Sequence, residues 1–260
     1  MRVHTVVGGV STAYLDTGEG EPIVALHGIP TSSLLFDPLV PHLEGYRLVA
    51  PDLLGQGGTD IPRHGRLDAA AYQRHLDAFL DQLPLQSFHL LVHDFGGVLG
   101  LRWAAEHHAR VKSMIVLSTT ISPSARVALF YVFNLVFGRT ALRRALPWTL
   151  ERPRELSPHL LDEWTSPWAR RRLLRGCDHF GARHLRALRD RLTRLDCPTL
   201  IVWGMSDRVF PLRHARLLHE LLPHAALATI PHCGHWATID APEVVAAEVR
   251  RFCGSNRERV

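Results

Sequence analysis

Short apolar runs alternate with stretches of helical periodicity along most of the chain. Residues 3–7 and 12–15 alternate apolar and polar positions on either side of Gly8-Gly9, the pattern of two strands joined by a turn. Residues 23–26 are continuously apolar, as expected of a strand covered on both faces. A helix is predicted over 34–43 and a strand over 46–50. Asp68 then stands as the N-cap of a helix running to about Gln82. Strands follow at 88–92 and 112–117, with a helix between them over 98–105. The last strands are 199–203 and 227–230, each followed by a helix, at 212–222 and at 242–252. Pro242 occupies the first turn of the final helix, where its missing N–H costs nothing.

Strands that alternate with helices predict an α/β fold with a mostly parallel central sheet flanked by helices. The alternation stops between about Ile121 and Arg194. That block reads as several helices broken at Pro147, Pro153, Pro158 and Pro167, rich in Phe, Trp and Leu. The expected organisation is a core built from residues 1–120 and 195–260, with an inserted helical cap over 121–194. No internal repeat or low-complexity segment interrupts this scheme.

Composition narrows the class without changing the picture. A hydrophobic content of 46% and a charged content of 21% over 260 residues are those of a soluble globular chain. Cys177, Cys197, Cys233 and Cys253 are scattered without paired spacing, which fits free thiols in a reducing compartment. No apolar run is long enough to span a membrane and the N-terminus lacks signal-peptide character, so a cytoplasmic protein is expected. The formal charge of +5 comes almost entirely from Arg, Lys112 being the only lysine. Arginines concentrate between about 126 and 194, including Arg183, Arg186, Arg189, Arg191 and Arg194. No zinc-finger or base-stacking signature accompanies them, and they read as a solvated helical face rather than a nucleic-acid surface.

Candidate chemistry sits where three predicted strands end. The run 88–92 leads into His93-Asp94-Phe95-Gly96-Gly97 and then a helix, the strand–turn–helix context of a nucleophile elbow with Asp94 at its apex. Taken alone, Asp94 also admits the plainer reading of a helix N-cap. After the strand 199–203 comes Gly204-Met205-Ser206-Asp207-Arg208, and after the last strand Pro231-His232-Cys233-Gly234-His235-Trp236. Active residues of parallel α/β sheets gather at the carboxyl ends of strands. The chain order Asp94, Asp207, His235 is the nucleophile–acid–base order of α/β-hydrolases. His232, Cys233 and His235 lack a fourth partner at ligand spacing, so neither a metal nor another cofactor is expected. His27 and His93 are expected to orient loops.

Over nearly its whole length the chain resembles the α/β-hydrolase superfamily, and within it the Asp-nucleophile branch of haloalkane dehalogenases and epoxide hydrolases. His27-Gly28-Ile29-Pro30-Thr31-Ser32-Ser33 is similar to the dehalogenases' His-Gly-Asn-Pro-Thr-Ser-Ser, and His93-Asp94-Phe95-Gly96 to the His-Asp-Trp-Gly elbow of both groups. The resemblance implies that Asp94 displaces a leaving group from sp³ carbon to give an alkyl-enzyme ester. His235, held by Asp207, would then activate water to hydrolyse it. It also implies an oxyanion hole from the backbone N–H groups of Ile29 and Phe95.

Two positions depart from the dehalogenase pattern. Ile29 and Phe95 stand where that group carries side-chain N–H donors for the halide, leaving Trp148, Trp164 or Trp168 of the cap as donors, although packing in the cap core is the ordinary role of Trp. Epoxide hydrolases use two cap tyrosines to protonate the ring oxygen; here the cap holds Tyr131, with His159, His179 and His184 as other proton donors. The balance places epoxide hydrolysis slightly ahead of dehalogenation. An esterase or lactonase and a non-catalytic ligand-binding member of the fold are the remaining alternatives. The expected partners are a hydrophobic small-molecule substrate and water, with no nucleic acid and no membrane, in a monomer or homodimer.

Overall fold

The computed structural model describes residues 2–62, 64, 67–123, 129, 148–151 and 181–256. Eight strands form one sheet: β1 (Arg2–Val7), β2 (Val10–Thr17), β3 (Glu21–Leu26), β4 (Tyr46–Pro51), β5 (Phe88–His93), β6 (Val111–Leu117), β7 (Thr199–Gly204) and β8 (Ala225–Ile230). Their spatial order is β1-β2-β4-β3-β5-β6-β7-β8. The β1–β2 and β2–β4 pairs are antiparallel, and every pair from β4 across to β8 is parallel. Every residue of β5 and β7 is buried, as their continuous apolar runs require, whereas the edge strands β1 and β8 leave half or more of their residues partly open.

Helices α1 (Ala69–Gln82), α2 (Phe95–Glu106), α3 (Ala182–Leu192), α4 (Arg213–Leu221), α5 (Ala237–Asp240) and α6 (Pro242–Ser255) accompany the sheet. Asp68 caps α1 as expected, its Oδ1 accepting from the N–H of Ala71 at 3.0 Å. The predicted helix at 34–43 is instead a 3-10 helix, Ser33–His42. Pro38 and Pro41 lie inside it, and neither supplies the N–H that continuous α-helical bonding needs. Registered pairing of β6 with β7, Met114 opposite Thr199 through Leu117 opposite Val202, joins the two stretches of core into one sheet across the intervening segment.

Most of the expected cap lies outside the described residues. Its last helix, α3, buries Leu185, Leu188 and Leu192 in the main core cluster, while Arg183, Arg186 and Arg191 stand exposed on the opposite side. The arginine series is thus a solvated face, as its spacing predicts. Among the described residues no helix is long and apolar enough to cross a membrane.

Candidate active site

Four loops converge from the carboxyl ends of β3, β5, β7 and β8. At the end of β5 the backbone of Asp94 takes φ 54 and ψ −118, a conformation rarely adopted by a residue with a side chain. Surrounding bonds hold it there. Asp94 N–H donates to the Ser118 carbonyl at 3.1 Å, and the Thr119 hydroxyl donates to the Asp94 carbonyl at 2.6 Å. Two glycines permit the approach that this turn needs: a Cβ on Gly96 would sit 2.3 Å from the Leu26 carbonyl oxygen, and one on Gly97 would sit 2.3 Å from Thr119 Oγ1.

An N-cap carboxylate accepts from the second or third residue of its helix. Asp94 does not. Its Oδ1 accepts from the N–H of Phe95 at 2.6 Å and from the N–H of Ile29, on a different loop, at 3.0 Å. One oxygen of a buried carboxylate is therefore cradled by the two backbone donors expected to form an oxyanion hole. The side chains of Ile29 and Phe95 are both buried, and the Phe95 ring meets Tyr72 edge to face at 5.0 Å.

The other oxygen, Asp94 Oδ2, lies 3.5 Å from His235 Nε2. On the far side of the ring, His235 Nδ1 donates to Asp207 Oδ2 at 3.1 Å. Asp207 is fixed in turn because its Oδ1 accepts from the N–H groups of Val209 and Phe210, each at 2.8 Å. Burial alone would push the His235 imidazole down. The charge and hydrogen bond of Asp207, joined by those of Asp94, outweigh burial and raise its pKa to about 9. The structure thus brings Asp94, Asp207 and His235 together at hydrogen-bonding or ion-pairing range.

His27 and His93 tie loops together. His27 Nδ1 donates to the Gly28 carbonyl at 2.8 Å, and its Nε2 accepts from the N–H of Leu53 at 2.9 Å, which fixes the neutral tautomer. Burial keeps His27 below its usual pKa. His93 Nε2 donates to the His235 carbonyl at 3.1 Å.

Four supporting residues escaped the sequence reading. Thr119 braces the elbow. Thr149 holds the histidine loop through its carbonyl, which accepts from His235 N–H at 3.0 Å, and through its hydroxyl, which accepts from Trp236 Nε1 at 2.7 Å. Asp240 Oδ2 accepts from Gly234 N–H at 2.7 Å and from Glu151 N–H at 3.2 Å. Asp52, fully buried, accepts from Ser33 N–H at 2.7 Å and Gly58 N–H at 2.8 Å and faces the Arg2 guanidinium at 3.6 Å. Only Asp52 carries a local signal, a carboxylate at a strand end followed by glycines.

Of the leaving-group candidates, Tyr131, Trp164 and Trp168 lie outside the described residues, as do His159 and His179. Trp148 is 50% exposed, so core packing does not describe it; the Arg208 guanidinium lies 5.9 Å from its ring centroid and donates to its carbonyl. His184 lies behind α2, lining a small cavity with Gln73, Val98 and Arg102. His232 is exposed while Cys233 is buried and turned onto the Gly234 carbonyl, and among the described residues no three His, Cys, Asp or Glu side chains are grouped to hold a metal.

Comparison with known proteins places this geometry in a family. Residues 21–242 match the alpha/beta hydrolase fold family. A cis-3-alkyl-4-alkyloxetan-2-one decarboxylase of Shewanella oneidensis is 29% identical over 92% of this chain and 84% of its own length. A haloalkane dehalogenase of Sphingobium indicum is 39% identical over 45% of this chain and 41% of its own. Among solved structures, the 2-hydroxy-6-oxo-6-phenylhexa-2,4-dienoate hydrolase of Rhodococcus sp. strain RHA1 superposes with a TM-score of 0.85 at 19% identity, covering 98% of each chain. That likeness concerns the fold alone. The chain belongs to the alpha/beta hydrolase fold family.

Proposed function

We propose that this protein hydrolyses a hydrophobic small molecule at an sp³ carbon through an ester of Asp94, and that the leaving group is the oxygen of a strained ring. The observation that carries the reading is the division of labour within the Asp94 carboxylate: Oδ1 in the cradle of Ile29 and Phe95 N–H groups, Oδ2 facing His235. Oδ2 forms the new C–O bond as the ring C–O bond breaks, its electron pair passing to the departing oxygen. Loss of the Asp94 charge then removes one of the two carboxylates that hold the proton on His235. The imidazole then gives up its Nε2 proton to solvent, and the freed Nε2 takes a proton from the water that attacks Asp94 Cγ. The oxyanion forms on Oδ1, already between its two donors. Collapse regenerates Asp94 and releases the alcohol.

Ring oxygen is favoured over halide because neither Ile29 nor Phe95 carries a side-chain N–H. An epoxide, whose alkoxide needs a proton donor such as Tyr131, is the first ring class. A second is favoured by the relative that matches most of the chain: an oxetan-2-one opened at its sp³ carbon releases a carboxylate, which needs no acid. That ester has two outlets, hydrolysis to a hydroxy acid or loss of carbon dioxide with Asp94 departing to leave an alkene. Incubation with a 1,2-epoxyalkane, a cis-3,4-dialkyloxetan-2-one and a 1-bromoalkane, with products identified by mass spectrometry, separates these outcomes. Diol supports the epoxide reading, and hydroxy acid or alkene supports the oxetanone reading. Bromide release alone overturns the assignment of a ring oxygen.

A further inference from the structure

The side chain of His93 points out of the last position of β5, immediately before Asp94, and is fully buried. Its ring lies against that of His235, centroids 4.8 Å apart, and against Trp236 at 5.2 Å. Trp236 meets the His235 ring edge to face at 4.9 Å, and Phe210 closes a third side at 5.4 Å. The base is thus boxed by three rings. Only one of them also bonds the backbone that carries it: His93 Nε2 reaches the His235 carbonyl at 3.1 Å.

A carbonyl only accepts, so Nε2 carries the proton and Nδ1 a lone pair in the neutral ring. Nδ1 is buried and has no hydrogen-bond partner among the described residues, so a second proton there would find no acceptor. The charged groups facing His93 are His235, Asp94 and Asp207. Burial, helped by the neighbouring His235 charge, outweighs both carboxylates and holds His93 at about 4. Neighbouring imidazoles therefore carry opposite assignments at neutral pH: His235 protonated between its carboxylates, His93 neutral behind it.

We infer that His93 is a positioning residue, whose Nε2–H bond to the His235 carbonyl and ring contact hold the His235 imidazole in line between Asp94 and Asp207. Released from that bond, the ring is free to turn away from the Asp207 carboxylate, and the interactions that raise its affinity for a proton weaken together. The inference builds on the role proposed above for His235, but its test needs no substrate, so its failure is distinct from failure of the proposed reaction.

Imidazole nitrogen and proton NMR on the full chain reads the Nδ1–H of His235 and its titration directly. His93→Phe keeps an aromatic ring but has no donor, and His93→Asn keeps polarity but is too short to reach. His93→Gln places an amide N–H near the position of Nε2. The expected result is a His235 pKa lowered by at least about one unit, with a weakened Nδ1–H signal, in His93→Phe and His93→Asn, and near-native values in His93→Gln. Thermal melting identifies any variant that does not fold, in which case the other of His93→Phe and His93→Asn decides. Native titration of His235 in folded His93→Phe or His93→Asn overturns the inference, as does a His93→Gln protein as perturbed as the others.

Discussion

At the scale of single residues, the proposed reaction rests on where one carboxylate is held. Gly28 shows how little room there is: a Cβ added to it would lie 2.4 Å from Asp94 Cβ. Gly28→Ala is expected to displace the carboxylate from its cradle and lower turnover by about 100-fold or more, the scale set by ångström misplacement of a reacting group. Steady-state kinetics on the ring substrate turned over, with a native circular dichroism spectrum as control, checks this. Retention of wild-type rates would mean that the cradle is not used. The convergence of Asp94, Asp207 and His235 was legible because each lies in the turn or loop that follows a strand. Thr119 and Thr149 were not. Thr149 lies 87 residues from the Trp236 ring it anchors, a distance at which neither periodicity nor motif spacing carries information.

At the scale of elements, the site is a set of strand-end loops tied to one another by buried acceptors. Asp52 joins the loop after β3 to the loop after β4 and pairs with Arg2 on β1. Asp52→Ala strands the buried N–H of Ser33 while leaving that of exposed Gly58 to solvent, and a cost of about 1–3 kcal/mol for the one unsatisfied group is expected. Denaturant unfolding should register that loss together with a fall in turnover, because the Ile29 N–H rides on the same loop. Equal stability with reduced turnover would place Asp52 in the chemistry instead. Thr149→Val, which removes the acceptor for Trp236 Nε1, is expected to loosen the histidine loop and slow ester hydrolysis more than ester formation, as pre-steady-state kinetics would resolve. Strand positions were readable to within a residue or two because buried parallel strands are continuous apolar runs. The 3-10 helix Ser33–His42 was misread as an ordinary helix, since its apolar spacing hides the effect of Pro38 and Pro41 on backbone bonding.

At the scale of the whole molecule, buried histidines of opposite bias shape stability against pH. Folding raises His235 from about 6.5 to about 9, so its contribution is full below pH 6.5, declines above it and is gone once the pH passes about 9. His75 and His93 are held at about 4 by burial, so the unfolded chain takes up protons below pH 6.5 that the folded chain refuses until about pH 4. Stability is therefore expected to peak near pH 6.5 and fall on both sides. Melting temperatures measured from pH 4 to pH 9 test this, and His235→Gln should flatten the alkaline side alone. A wild-type curve that is flat or rises between pH 6.5 and pH 9 would contradict the charged state assigned to His235. The α/β architecture was legible in the alternation of patterns. The leaving group was not, because it depends on which side chains face Asp94, and that is a property of packing rather than of pattern.

The central claim is that Asp94 itself becomes esterified during hydrolysis. Single turnover of excess enzyme in ¹⁸O-labelled water, followed by mass spectrometry of the peptide carrying Asp94 and of the hydrolysed product, tests it most directly. Label in the Asp94 carboxylate, with unlabelled product from that first turnover, is the predicted result; label in the product with Asp94 unlabelled would contradict it.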